Sequence, residues 1–223
     1  MSGYLSLWSQ LGTDAAPALP VGWVMRLGLS LGWALVLALL GAALTYRLPL
    51  ALRRALALAL ALWTLVPGQK SPDYWLGLAF HAPSLSAMLV SLWLLRRLLF
   101  PVPIVSWRRS VAVANGWWLM AAVGLGYALL LDAFALLPVQ IYSWGFSPAL
   151  LLGLMALSLL PWVLRGKTTV AAGPEIWVAP LALLMFAATR LPSGNLWDAL
   201  LDPWLWSALH IASLRALYQR WRR

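Results

Sequence analysis

The sequence lacks cysteine and is poor in charged residues. With no cysteine among its 223 residues, the chain has no disulfide, no thiol nucleophile and no cysteine-ligated metal. Only six residues are acidic, and charged residues make up 10% of the chain, whereas soluble globular proteins carry about 25%. This composition excludes an ordinary soluble globular domain.

Familiar enzyme motifs are also missing. The sequence contains no His-Glu-x-x-His metal motif, no Gly-x-Ser-x-Gly nucleophile turn and no glycine-rich phosphate loop. Glu175 is the single glutamate and has no histidine nearby, which disfavours an intramembrane metalloprotease. The sequence therefore favours a protein that is not an enzyme, and it predicts no metal and no cofactor.

Long apolar runs fill the sequence instead. Hydrophobic residues make up 63% of the chain, and a bilayer core about 30 Å thick requires about 20 apolar residues per helix. Seven runs approach this length, at residues 27–46, 49–66, 74–95, 111–131, 147–164, 172–189 and 196–217. We predict an all-α integral membrane protein, a single-domain bundle of about seven transmembrane helices with an outer interfacial segment at 1–20. Pro174 and Pro180 interrupt the sixth run.

Basic residues are distributed unequally between the two sides of this predicted bundle. Three lie on one side: Arg26, Lys70 and Arg190. The other 13 of the 16 share the opposite side: Arg47, Arg53, Arg54, Arg96, Arg97, Arg108, Arg109, Arg165, Lys167, Arg215, Arg220, Arg222 and Arg223. Because Lys and Arg stay on the cytoplasmic side, we predict that the N-terminus is outside and the C-terminus is cytoplasmic.

This topology also accounts for the net charge of +10. The basic residues form short clusters at the ends of spans, so the charge does not indicate a nucleic-acid partner. The expected partners are the lipid bilayer and either other membrane proteins or further copies of the chain. The expected location is a bacterial inner membrane.

Acidic residues lie mainly on the opposite, outer side. Five of the six map there: Asp14, Asp73, Asp132, Asp198 and Asp202. Asp198 and Asp202 are four residues apart, so they share one face of the seventh helix. Asn195 is placed to cap that helix, with Asp198 in its positive first turn. Asp202 lies about 6 Å deeper and has no such structural reason to be acidic.

These residues predict an outward-facing polar site. Ionisable groups inside a bilayer persist best when they are paired or face water. Arg190 ends the sixth run, and it is placed to pair with Asp198 or Asp202 across a short loop. The candidate binding residues are Asp202, Asp198, Arg190, His81, Asp132 and Asp73. Such a cluster is suited to binding a cation or carrying a proton.

Two histidines point to a different kind of chemistry. His81 lies in the third run shortly before Pro83, where the sequence predicts a kinked helix with a free backbone acceptor. His210 lies in the inner half of the seventh run. Their depths below the outer boundary, about 10 Å and about 20 Å, argue against a bis-histidine haem. Haem or pigment binding through His81 or His210 alone is the remaining alternative.

When the sequence is aligned with itself at an offset of 125 residues, the second and third runs align with the sixth and seventh. Pro67 then meets Pro192, Asp73 meets Asp198, Leu76 meets Leu201, and Arg97 meets Arg222. A match between leucines carries little information in so leucine-rich a chain. The repeat implies a three-plus-one-plus-three arrangement with parallel halves, which resembles some small seven-helix transporters.

Three functions are compatible with these features. Short loops and five deep tryptophans favour a non-catalytic subunit or scaffold of a larger membrane assembly; these are Trp33, Trp117, Trp118, Trp204 and Trp206. The outer polar cluster and the repeat favour a small seven-helix transporter or channel. The third alternative is a lipid-active enzyme or a haem- or pigment-binding membrane protein.

Overall fold

The computed structural model describes residues 19–100, 111–164 and 175–222, which are helical and contain no β-strand. Ten helices follow one another in these ranges: α1 Gly22–Leu44, α2 Leu50–Thr64, α3 Pro72–Phe80, α4 Leu85–Leu99, α5 Val111–Ala133, α6 Ile141–Trp144, α7 Pro148–Leu164, α8 Glu175–Thr189, α9 Leu196–Leu200 and α10 Pro203–Trp221. The predicted all-helical class is therefore confirmed. Most of the predicted interfacial segment at 1–20 lies outside the described residues.

Each of the seven predicted runs coincides with helix, but two of the helices are interrupted. The third run forms α3 and α4, separated by residues 81–84, and the seventh forms α9 and α10, separated by Leu201 and Asp202. The short helix α6 has no counterpart among the predicted runs. Pro180 lies inside α8, which continues through it at the cost of one backbone hydrogen bond.

Small residues allow the helices of the N-terminal half to pack closely. α1 packs along α2 and α4 and also contacts α3. Ala38 and Ala42 of α1 meet Ala57 of α2, and all three are buried. Side chains of this size let two helix backbones approach each other, as they do in helix pairs within lipid.

α4 connects the two halves of the molecule. It contacts α8, α9 and α10, while α8 also packs on α7 and α10 packs on α5. Leu85 of α4 belongs to a buried apolar cluster with Leu183 and Phe186 of α8 and Leu196 of α9. The starts of α4 and α9 are thus fixed against the same helix, α8.

Several polar side chains are buried in the described residues, and many large apolar side chains are exposed. Thr64, Ser84 and Asn195 are fully buried, whereas Leu44 is 86% exposed and Leu58 is 59% exposed. Buried polar groups require hydrogen-bond partners. Thr64, Ser84 and Asn195 each have such a partner.

One described helix, α1, is long and apolar enough to cross a bilayer by length and composition. Shorter apolar helical stretches cover Met120–Ala133, Pro148–Leu160 and Trp177–Thr189. A helix rises 1.5 Å per residue, so a stretch of 10 to 17 residues spans less than the full hydrocarbon thickness.

Two pairs of helices that a shift of 125 residues superimposes resemble each other in part. α2 and α8 both contain 15 residues and end at Thr64 and Thr189, whose hydroxyls each donate to the carbonyl four residues earlier at 2.7 Å. Gly68 and Gly194, which are 126 residues apart and so one position out of register, follow with positive φ. Each half then continues with a short helix, an interruption and a longer helix. The interruptions are not equivalent in register, because α3 has nine residues and α9 has five.

Candidate functional site

The first interruption separates α3 from α4. His81 ends α3 with a φ of 59°, a conformation that is uncommon for residues other than glycine. Its carbonyl accepts a hydrogen bond at 2.9 Å from the indole of Trp33 in α1. Pro83 cannot continue a helix, and the Ser84 hydroxyl then caps α4 by accepting from the backbone N–H of Ala87 at 3.0 Å. The predicted kink is thus a complete break.

The second interruption separates α9 from α10. The side chain of Asn195 accepts from the backbone N–H of Trp197 at 2.9 Å, which confirms the predicted cap of α9. After five helical residues the chain becomes extended. Asp202 then starts α10 by accepting from the backbone N–H of Leu205 at 2.7 Å, and Pro203 occupies the first helical position, where it is well tolerated.

A hydrogen bond joins the two interruptions directly. The backbone N–H of Ser84 donates to Oδ2 of Asp202 at 2.6 Å, across 118 positions of sequence. Each oxygen of the carboxylate therefore receives one N–H from the start of a helix, α4 on one side and α10 on the other. Helix N-termini carry partial positive charge and stabilise anions. Asp202 is 9% exposed, and this arrangement compensates its burial.

A second polar cluster surrounds Tyr142 of α6. Its hydroxyl donates to Asp198 at 2.8 Å, and its backbone N–H donates to Asp132 at 2.6 Å. The hydroxyl of Ser193 also donates to Asp198, at 2.5 Å. Partial burial, followed by the neighbouring Asp198 carboxylate, raises the pKa of the Tyr142 phenol above its ordinary value of 10.0. The phenol therefore stays protonated and remains a donor to Asp198.

The α6 segment is docked onto the start of α9. The side-chain amide of Asn195 donates to the carbonyl of Tyr142, and the indole of Trp197 donates to the carbonyl of Ile141, both at 2.9 Å. Gly145 permits the close approach, because a Cβ at this position would lie 1.9 Å from the side-chain oxygen of Asn195. The segment between α5 and α7 is thus part of the cluster around Tyr142.

The chain matches no protein-family model, no curated protein and no solved structure. The geometry of the two clusters is therefore the basis for assigning a function. Fold-level analogy would not supply a function in any case, because function resides in sites.

Arg190 does not occupy the place predicted for it. Its guanidinium lies 5.3 Å from the ring centre of Phe186, one turn back along α8. Asp198 and Asp202 accept their hydrogen bonds from other donors, so the predicted ion pair with Arg190 is not formed. The physical reason lies in the backbone: Arg190 has a φ of 59°, and it begins a turn in which the N–H of Gly194 donates to the carbonyl of Arg190 at 2.8 Å.

The remaining predicted residues share no hydrogen bond with Asp202 among the described residues. Asp73, in the first turn of α3, accepts a hydrogen bond from Ser30 of α1. The side chain of His81 is exposed. His210 uses both ring nitrogens, with the Trp206 carbonyl at 2.9 Å and the Tyr127 hydroxyl at 3.2 Å. Among the described residues, Tyr142 links the candidates Asp132 and Asp198, and no hydrogen bond joins Asp202 to another candidate. The described part of the chain holds no group of three His, Cys, Asp or Glu side chains suited to a metal ion.

Two important contributors, Ser84 and Tyr142, are absent from the sequence-based candidates. Ser84 acts through its backbone N–H, which no residue pattern reveals, although a serine between Pro83 and an apolar run is a recognisable helix-start signal. Tyr142 lies between the fourth and fifth predicted runs, in a stretch of ordinary composition. Both are neutral hydrogen-bond donors, a backbone N–H and a phenol, so the positions of charged residues do not reveal them.

Proposed function

We propose that this chain is a multi-pass membrane protein of the transporter class, with Asp202 and the two joined interruptions at the centre of its transport path. The hydrogen bond between Ser84 and Asp202 carries the proposal. In many secondary transporters, interrupted helices meet near the middle of the bilayer at the interface between structural repeats, and their N-terminal ends face an anionic group. The starts of α4 and α10 face Asp202 in this way.

The membrane location is supported by two independent features. Thirteen of 16 basic residues fall on one side of the predicted bundle, as the orientation rule for inner-membrane proteins requires. Large apolar side chains cover the outside of the described helices, while buried positions are rich in alanine and polar residues. This pattern is expected for a protein surrounded by lipid. Lipid tails are as apolar as leucine side chains, so large apolar residues can face outwards.

The chemistry of the centre suggests how transport is coupled. A proton or a metal cation that binds the Asp202 carboxylate competes with the N–H of Ser84 for Oδ2. Binding therefore weakens the bond between α4 and α10 and favours a second arrangement of the two halves. The proposed activity is the movement of a cation, or of a small solute coupled to a proton or cation, with the Tyr142 cluster at its outer side.

Two of the deep tryptophans that favoured a scaffold, Trp33 and Trp206, have roles inside the bundle, whereas Trp204 is 49% exposed. Trp33 is 3% exposed and donates to the carbonyl of His81. Trp206 donates to the carbonyl of Val123 at 3.1 Å. These indoles are used within the chain, which supports the transporter over the subunit or scaffold.

The test is charge movement by the reconstituted protein. Proteoliposomes adsorbed on a solid-supported membrane should give a transient current after a step in pH or sodium concentration. Asp202→Asn should abolish this current, whereas the control Asp198→Asn, which removes an outer carboxylate, should retain most of it. The proposal fails if wild-type protein gives no current, or if the two variants behave alike. Stoichiometric co-purifying membrane proteins together with no current would favour the scaffold.

A further inference from the structure

The inner end of α4 carries an unusual arrangement of arginines. Arg53 and Arg54 lie in the first turns of α2, where the positive end of the helix dipole makes cations unfavourable. Both reach across to another helix instead. Arg53 donates to the carbonyl of Leu98 at 3.2 Å, and Nε of Arg54 donates to the carbonyl of Leu99 at 2.9 Å. Two guanidinium groups thus cap the C-terminal carbonyls of α4.

The same helix end carries further positive charge. Arg96 and Arg97 belong to the last turn of α4. Arg53 also donates to the carbonyl of Leu48 at 3.2 Å, which holds the loop containing Arg47 close to the same helix end. Five arginines therefore meet at one end of the α2–α4 pair. Between residues 15 and 131 the sequence contains one acid, Asp73, and it lies at the opposite end of α2, in the first turn of α3.

Most of these donors are unoccupied within the described part of the chain. Arg47, Arg54, Arg96 and Arg97 are exposed. Nε of Arg53 is buried and has no hydrogen-bond partner among the described residues. A concentration of guanidinium groups with free donors is suited to phosphate oxygens, which arginine binds through paired hydrogen bonds.

Apolar surface adjoins these charges. Leu52 of α2 is 47% exposed, Leu92 of α4 is 51% exposed, and Phe100, which follows α4, is 56% exposed. A ligand that satisfies both the arginines and these side chains carries a phosphate headgroup on an apolar tail. A soluble polyanion would leave the apolar part uncovered.

From this juxtaposition we infer that the inner end of the α2–α4 pair is a binding site for an anionic phospholipid. Basic sites between helices on the cytoplasmic side of membrane proteins recognise such headgroups. Arg96, Arg97 and the terminal nitrogens of Arg54 bind the phosphate, and Leu52 and Leu92 contact the acyl chains. The inference rests on the proposed membrane location and not on transport.

The experiment measures lipid retention by the detergent-purified protein with native mass spectrometry. Phosphatidylglycerol and cardiolipin are added separately, with phosphatidylcholine as the neutral comparison. The double variant Arg96→Gln/Arg97→Gln should weaken retention of anionic lipid by roughly thirtyfold. Each arginine near an anionic headgroup adds an electrostatic contribution to the binding free energy, and the variant removes two of them. The matched control Arg215→Gln/Arg222→Gln removes the same charge from the inner end of α10 and should change retention less than threefold.

A second variant separates recognition from topology. Arg96→Lys/Arg97→Lys keeps the positive charge that orients the spans but lacks the planar paired donors, so retention should fall to an intermediate value with normal insertion. Equal loss in the α10 control, or equal retention of phosphatidylcholine, would overturn the site. Inorganic phosphate that competes with lipid at equal concentration would indicate a site for a free anion. A missing current in proteoliposomes leaves this result unaffected, because lipid retention requires no transport.

Discussion

Replacement of Asp202 tests the junction between the two interrupted helices. In Asp202→Asn the amide oxygen can still accept from Leu205, but the amide nitrogen then faces the N–H of Ser84, so two donors oppose each other. A buried hydrogen bond to a charged group contributes about 1.5–3 kcal/mol, and we expect a loss of this size in the free energy of unfolding. Asp202→Ala also removes the cap of α10, so it should lower the free energy of unfolding by about 1 kcal/mol more than Asp202→Asn does.

The assay is unfolding of the purified protein in mixed micelles with increasing sodium dodecyl sulfate, followed by far-ultraviolet circular dichroism. Ser84→Ala is the matched control, because it removes the hydroxyl cap of α4 but keeps the backbone N–H that binds Asp202; its expected cost is about 1 kcal/mol. If Asp202→Asn costs no more than Ser84→Ala, the junction does not have the strength inferred from its geometry.

Three further predictions concern other parts of the molecule. A Cβ at Gly126 would lie 2.1 Å from the indole nitrogen of Trp206, whereas one at Gly124 would meet nothing within 4 Å. Gly126→Ala should therefore cost about 1–3 kcal/mol of unfolding free energy, while Gly124→Ala should be neutral or stabilising; equal effects would contradict the α5–α10 packing. Because the pKa of Tyr142 is raised, its stabilising contribution is complete below pH 10 and is lost as the pH rises above 10. An ultraviolet titration of the folded protein should show a tyrosine ionisation step well above pH 10 that Tyr142→Phe removes; an unchanged curve in the variant would refute this. Neutral replacement of Arg96, Arg97, Arg108 and Arg109 together should disturb insertion, as judged by topology reporters, and unchanged topology would show that the other inner arginines suffice.

Much of the helical framework is predictable from local sequence. Apolar runs of suitable length mark the helices, and Asn195 with Asp198 marks the start of α9 through capping and the helix dipole. These effects act over a few residues, so they can be read from neighbours in the chain. The same holds for Pro83, whose missing N–H predicts that the third helix cannot be regular.

The form of the interruptions is not predictable in this way. Whether Pro83 kinks a helix or ends it depends on partners outside that segment, namely Trp33 for the His81 carbonyl and Asp202 for the Ser84 N–H. The prediction for Arg190 was wrong for a related reason. Attraction to nearby acids suggested an ion pair, but the turn at Arg190 places its side chain over Phe186.

The central claim, that these helices lie in a membrane with Lys70 outside and the end of α4 inside, is most directly tested by thiol labelling. The chain has no native cysteine, so single substitutions report without background. Thiols react as thiolates, which do not form in hydrocarbon. In intact cells, Lys70→Cys should react with an impermeant maleimide, Arg97→Cys should react only after permeabilisation, and Leu58→Cys, although 59% exposed in the isolated chain, should react in neither case. Ready labelling of Leu58→Cys in the folded protein would contradict the account.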